Sequence, residues 1–437
     1  MKRPIGIDLF AGAGGMSLGF EQAGFNVAAA VEIDPIHAAV HAFNFPATTV
    51  LPRSVVGLSG EEIRAAAGIG NATVDVVFGG PPCQGFSLIG RRAIDDPRNL
   101  LVKEFVRIVE ELDSTYFVFE NVKGITIGKH SAVLKELIGE FETRGYNVLG
   151  PWKVLNAAHY GVPQNRERLF LIGAKRGHPL PVYPAAQTNI SGDVVLDKSL
   201  PIGPSCKDAL GDMPDAEQYD ELISSDRAKV IWKDASAYAK KLRGLSNAED
   251  DFSHPRKWDP EYITSSLRTE HTTESRSRFR ACTGGQVEKV SRFFKLPATG
   301  VANTLRAGTD SARGAFTSPR PIHYEFPRCV TVREMMRLHG YPDWFRTHVT
   351  KWHGARQVGN SVPPPLAKAV ATEVRLAGGF AATMPTEEIA LGEERLLSMD
   401  MREAAAHFNI EVPIKQRVRK TQQNVMSEAQ TEQLFDR

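Results

Sequence analysis

IGIDLFAGAGG, residues 5–15, reads as a strand that stops in a glycine-rich turn and restarts as a helix. Ile5, Ile7 and Leu9 form the apolar run. Gly12, Gly14 and Gly15 let the backbone approach a ligand closely, and the helix start that follows offers N–H groups with no partner of their own. Glu32 stands near the end of the next apolar run, FNVAAAVEI (25–33). An acid at the end of a second strand suits the two hydroxyls of a ribose, so a nucleoside-bearing cofactor is implied. The turn is not G-x-G-x-x-G, since Ser17 stands where the last glycine would be, which argues against a nicotinamide cofactor.

Outward from this unit, short apolar runs alternate with amphipathic ones up to about residue 175, the pattern of a parallel sheet covered by helices on both faces. The spacing predicts further strands at 74–80, 115–121, 147–157 and 168–174, and helices at 15–23, 35–44, 98–112 and 131–144. In the helix 98–112, Leu101, Phe105, Ile108 and Leu112 fall on one stripe at three- and four-residue spacing. The fold class is therefore α/β, a doubly wound sheet. From about 178 the rhythm breaks at Pro179, Pro181 and Pro184, which predicts a second, smaller and irregular domain. An apolar helical pattern returns at 361–376, and a mixed tail follows from 377, partly helical and partly disordered.

Composition narrows the class. The 437 residues are 42% hydrophobic and 24% charged, as in ordinary globular proteins. No run approaches the ~20 apolar residues of a membrane span, and Asp8 interrupts any signal peptide at once, so a cytoplasmic protein is expected. Cys83, Cys206, Cys282 and Cys329 lie too far apart for a disulfide framework or a zinc site, so free thiols and no metal are expected. The net charge of +2 conceals a basic stretch, 266–320, with ten Lys and Arg against four acids. Such a stretch suits a phosphate backbone.

Three more stretches carry chemistry. GGPPCQGFS, 79–87, follows an apolar strand, and its two prolines fix the backbone before Cys83 while Gly85 lets the chain turn after it. A rigidly presented thiol is what covalent catalysis requires. FENV, 119–122, ends the next strand and sends Glu120 to the same rim. In QNRERLF, 164–170, Arg166 and Arg168 alternate at a strand start and so face one side.

These blocks, with TVREMMRLHGYPDWF (331–345) and QVGNSVPPP (357–365), occur in an order that resembles the cytosine-5 DNA methyltransferases, bacterial restriction-modification type, over about 1–176 and 328–376. The resemblance implies a Rossmann-like class I methyltransferase sheet and transfer of a methyl group from S-adenosylmethionine to carbon 5 of a flipped cytosine in a specific duplex sequence. It implies a catalytic domain, 1–176 completed by 355–376, and a target-recognition domain, 177–354, with the tail 377–437. Cys83 would add to the base, Glu120 would hold ring nitrogen 3, and Arg166 and Arg168 would surround the base carbonyl. Phe10, Ala11, Gly12, Ala13, Gly14 and Gly15, then Glu32 and Ile33, then Pro82, Leu101, Asn360, Ser361 and Val362 would bind the cofactor. Gln84, Ser87, Arg91, Arg92, Thr304 and Arg306 would contact DNA. Double-stranded DNA is the implied partner of a monomer, with a cognate restriction endonuclease acting separately. One position departs from the family's pattern, since Ser54 stands where an Asp would bind the adenine amino group. The nearest rival is a tRNA cytosine-5 methyltransferase of similar motif order, and a rival of another class is a non-catalytic DNA-binding regulator.

Overall fold

The computed structural model of the protein describes residues 3–82, 99–127, 130–246, 249–309 and 319–413. Its apolar runs form one eight-stranded sheet: β1 (Ile5–Leu9), β2 (Asn26–Val31), β3 (Thr49–Leu51), β4 (Val76–Gly79), β5 (Tyr116–Val122), β6 (Tyr146–Val148), β7 (Lys153–Asn156) and β8 (Glu167–Lys175). The strand order is β3-β2-β1-β4-β5-β8-β6, with β7 also paired to β8. Alternation sorts the central side chains onto two faces. Ile7, Val77, Phe117 and Leu171 pack on one side with α3 (Gly60–Ala66), α4 (Leu100–Glu111) and α5 (His130–Thr143). On the other side Phe78, Val118 and Ile172 pack with α1 (Gly15–Gln22). The Phe20 and Phe78 rings stack there at 3.7 Å. The expected doubly wound α/β architecture is thus present.

The sheet is nevertheless mixed rather than wholly parallel. β1 to β5 run parallel, whereas β8 pairs antiparallel with β5, and β6 and β7 pair antiparallel with β8. The link 157–166 holds only one 3₁₀ turn, Ala157–Tyr160. A parallel crossover needs a dozen or more residues, so the chain returns antiparallel. The single strand expected at 147–157 is two strands laid end to end along β8, interrupted around Gly150 and Pro151, where proline lacks the donor a ladder requires. The three-residue β3 and the short α3 were not expected, because neither is long enough to show a period.

Between residues 177 and 345 regular structure is sparse, as the sequence predicts. α6 (Cys206–Leu210), α7 (Ala237–Leu242), α8 (Thr273–Ala281) and α9 (Val332–Leu338) are short; a core that includes Leu210, Met213, Val330, Met335 and Phe345 gathers α6, α7 and α9, while Phe279 of α8 packs with Ile322 and Cys329. Buried ion pairs reinforce it. Arg328 reaches Glu334 and Asp215 at 2.8 Å, and Arg337 reaches Asp212 at 3.1 Å. α10 (Lys351–Asn360) adds Ala355 and Val358 to this core, and α11 (Pro364–Ala377) returns to the sheet, where Leu366, Val370 and Val374 cover the face shared with α1.

The segment after 377 does more than trail. Leu396, Leu397, Met399 and Ala404, the last on α12 (Met401–His407), pack against Ile36, Val40 and Phe43 of α2 (Pro35–Asn44). Val349 N–H donates to the Leu397 carbonyl at 2.9 Å and Gly392 N–H to that of Phe43 at 2.8 Å. Among the described residues no helix is long and apolar enough to cross a membrane. Leu397→Ala is expected to lower the unfolding free energy by ~2–5 kcal/mol, because its side chain is wholly buried. Leu376→Ala, at a position 57% exposed, should stay within ~0.5 kcal/mol in the same denaturant titration.

Candidate active site

Strand order reverses between β1 and β4, and in such a sheet the crevice lies outside the carboxyl ends at that point. A cavity of about 680 Å³ opens there. One wall is the turn after β1, where Phe10, Ala11, Gly12, Ala13 and Gly15 line the cavity. Phe10 holds a φ of 61° and Gly12 one of 55°. Gly14 does not line the cavity; it caps α1 with a φ of 100° and no side-chain hydrogen bond, leaving the first-turn amides free of a cap. A side chain at Gly15 would run into the Val362 carbonyl and the Tyr341 hydroxyl, so the turn fits only as glycine.

Glu32 lies across from this turn, its carboxylate held by two backbone amides, Gly12 N–H and Asp34 N–H, each at 2.8 Å. Burial pushes its pKa upward against those amides and His37. Its remaining lone pairs suit a diol. Asp34 caps α2 through Ile36 N–H; burial opposes its charge, but His37 and the helix amides hold its pKa below the ordinary value. Ile33, 58% exposed, and Leu101 complete this end. Ser54 lines it too, its hydroxyl accepting from Val56 N–H at 3.1 Å, beside Arg53.

At the floor, Asp8 is buried and accepts from the Ser17 hydroxyl at 2.6 Å, and Ser17 lies 3.0 Å from Nε2 of His41. Burial raises the Asp8 pKa to about 8 and lowers that of His41 to about 3. Both are therefore neutral near pH 7.

The opposite end is built where β4 and β5 finish. Gly80 lies against the Glu120 carboxylate so closely that any side chain there would collide with it, and Asn121 donates to the Pro81 carbonyl at 3.1 Å. Pro82 lines the cavity. Glu120 pairs with Nε of Arg168 at 2.9 Å, both side chains about 12% exposed. Burial raises the Glu120 pKa, opposed by Arg168 and Arg166. Arg166 does not join that rim. Fully buried, it donates to the Leu305 carbonyl at 3.1 Å and the Gly359 carbonyl at 2.8 Å. Asn360, Ser361 and Val362 form the remaining wall with Ala307, Gly308 and Thr309. Thr304 donates to the Asn165 carbonyl at 2.7 Å, and Arg306 is exposed beside it. Cys83, Gln84, Ser87, Arg91 and Arg92 lie outside the described residues.

Sequence reasoning overlooked several lining groups: Asp34, His37, Arg356, Asn121 and the 307–309 segment. Asn121 was within reach of it, inside FENV. Asp34 and His37, at the start of the expected helix just after Glu32, were within reach as well, whereas Arg356 and 307–309 reach the cavity through long-range packing that leaves no local signal.

A family model for C-5 cytosine-specific DNA methylases matches residues 5–375. The chain belongs to this family. It is a DNA (cytosine-5-)-methyltransferase. It is 54% identical over 412 residues to the Type II methyltransferase M.XorII of Xanthomonas oryzae pv. oryzae, covering 94% of this chain and 93% of that protein. Against the Type II methyltransferase M1.HphI of Haemophilus parahaemolyticus the identity is 34%, covering 84% and 86%. A crystal structure described as a DNA modification methyltransferase encoded within an E. coli prophage superposes with a TM-score of 0.67 at 32% identity, covering 86% of this chain and 99% of that one.

In this methylase the native state holds a proton on Asp8 that the unfolded chain releases near pH 4. The stability Asp8 contributes is therefore complete below pH ~4 and is lost as pH rises to about 8. Unfolding free energies compared from pH 4 to 8 should show that component of the slope in the wild type and not in Asp8→Asn.

Proposed function

We propose that the enzyme transfers a methyl group from S-adenosylmethionine to carbon 5 of a cytosine flipped out of a specific duplex DNA sequence, through a covalent adduct on Cys83. The observation that carries this reading is the Glu120–Arg168 pair packed on Gly80, three residues before Cys83. A thiol leaving that turn would share a rim with a carboxyl whose pKa is raised and with a guanidinium.

The cavity fits the cofactor. Glu32 offers acceptors for a ribose, the glycine turn and uncapped start of α1 offer amides for a carboxylate, and Phe10 and Ile33 offer apolar surface for an adenine. Without an Asp at position 54, Ser54 is the side chain left to meet the adenine amino group. Gly14 acts by shaping the turn, and Leu101, Asn360, Ser361 and Val362 close around the remainder. When bound, S-adenosylmethionine supplies an electrophilic methyl group on sulfur.

The protein's part is to make carbon 5 a nucleophile. The Cys83 thiolate adds to carbon 6, and electron density moves to carbon 5. Glu120, whose pKa burial raises against the pull of Arg168 and Arg166, holds nitrogen 3 and shares a proton with it as the adduct forms. Arg168 is aimed at the base carbonyl. Arg166 acts as a positioning residue, through Leu305 and Gly359. After transfer a base takes the carbon 5 proton, that electron pair re-forms the bond between carbons 5 and 6, the sulfur departs as thiolate, and nitrogen 3 returns its proton to Glu120. Because a stacked base hides carbon 6, the cytosine has to leave the helix, and Gln84, Ser87, Arg91, Arg92, Thr304 and Arg306 are the residues proposed to meet DNA.

In this reading 1–176 with 355–376 form the catalytic domain, 177–354 the target-recognition domain, and 377–437 a tail whose described part braces α2. The names of its relatives support a Type II restriction-modification role; a cytoplasmic monomer with a separate cognate endonuclease is part of the same proposal. Cys83→Ala should abolish methyl transfer while retaining S-adenosylhomocysteine and DNA binding, and it should no longer cross-link to duplexes carrying 5-fluorocytosine. Full residual activity would refute the nucleophile. Glu120→Gln should lower kcat by ~10²–10⁴ with the Kd for S-adenosylhomocysteine unchanged.

A further inference from the structure

Between the cofactor cavity and the 304–309 segment lies a line of buried side chains that the reaction as described leaves unused. Gln164 and His339 are both wholly buried. Leu305 N–H donates to Oε1 of Gln164 at 3.1 Å, which fixes the orientation of that amide, since a backbone N–H has only one role. The Gln164 amino group then donates to the Leu338 carbonyl at 3.1 Å and to Nδ1 of His339 at 2.9 Å. An accepting Nδ1 leaves the imidazole proton on Nε2. That nitrogen lies 3.1 Å from both the carbonyl and the hydroxyl of Ser361, whose own proton goes to the Val358 carbonyl at 2.9 Å. The hydrogen bonds that lead from Leu305 through Gln164 and His339 to Ser361 thereby have their directions assigned. Burial beside Arg166 disfavours a charged His339, in keeping with the tautomer. The ring also lies flat against Tyr341, interplanar angle 12°, whose hydroxyl abuts Gly15 of the cofactor turn.

We infer that His339 is a positioning residue of this methyltransferase, holding Ser361 of the cofactor wall and Leu305 of the DNA-side wall in register with each other through Gln164. The inference rests on the functional reading above, which gives those two walls their ligands. Ordering either wall lowers the cost of ordering the other, so cofactor and DNA should tighten each other's binding. Arg166 spans the same two walls by a separate route, from the Leu305 carbonyl to the Gly359 carbonyl.

The test measures the Kd of S-adenosylhomocysteine by calorimetry, with and without a saturating duplex fragment that the wild-type enzyme methylates. His339→Leu keeps the volume and loses both hydrogen bonds. His339→Gln is able to accept from Gln164 and donate to Ser361. We expect the Leu variant to raise the Kd about fivefold or more and to lose most of the tightening by DNA, and the Gln variant to restore both. Gln164→Glu supplies a second readout, because a carboxylate is unable to donate to Nδ1 and should draw a proton onto His339. Asp8, Glu32 and Glu120 of the cavity titrate in both proteins, so the readout is the difference between the two profiles: from pH 5 to 8 the affinity of Gln164→Glu should depart from that of the wild type by a further slope. Leu and Gln variants weakened alike, or a Leu variant unchanged in both affinity and coupling, would overturn the inference. A wild-type enzyme that binds no S-adenosylhomocysteine would overturn the functional reading itself.

Discussion

Glu120 and Arg168 meet because β8 runs against β5. In the observed register Glu120 lies opposite Phe170 and Val122 opposite Arg168, so the acid and the guanidinium are diagonal neighbours on one face. The first residues of β8 thus arrive at the edge where β1, β4 and β5 end. A parallel β8 would send Arg168 to the far edge of the sheet and leave Glu120 buried without a cation, a costly arrangement for a carboxylate. The short link 157–166 that forces the reversal is therefore a condition for the site as well as for the fold.

Around that pair the molecule holds several ionisable groups in places that disfavour charge. Asp8, Glu32 and Glu120 all have pKa values raised by burial, and all line the same cavity. Their hydrogen-bond partners are fixed ahead of any ligand, which is the arrangement expected of a preorganised site. Between residues 177 and 345 buried charges serve a different end. Arg328 and Arg337 each reach two carboxylates, and they fix the relative positions of short segments with little regular structure of their own. Such networks add less to stability than to uniqueness.

Much of this was legible in the sequence because strands buried on both faces, parallel or not, read as unbroken apolar runs. That made β1, β2, β4, β5 and β8 visible, and with them Glu32 and Glu120 at their ends. Strand direction was not legible, since periodicity says which residues share a face but not which way a strand runs. Two positions show the same limit at the site. Arg166 and Arg168 look equivalent in QNRERLF, yet one reaches the rim and the other crosses to Leu305 and Gly359, a choice made by neighbours distant in sequence. Gln164, in the same block, gained its meaning only from its contact with His339.

The face of the sheet that carries α1 is closed by α11, which comes from the far end of the folded chain. Phe20 and Phe78 are synthesised before the irregular segment 177–345, yet the helix that shields them emerges only after it. The α1 face of the sheet is consequently uncovered until α11 has been made. A nascent chain stopped short of α11 would leave that face open to water, and such exposed apolar surface is what chaperones and proteases act on.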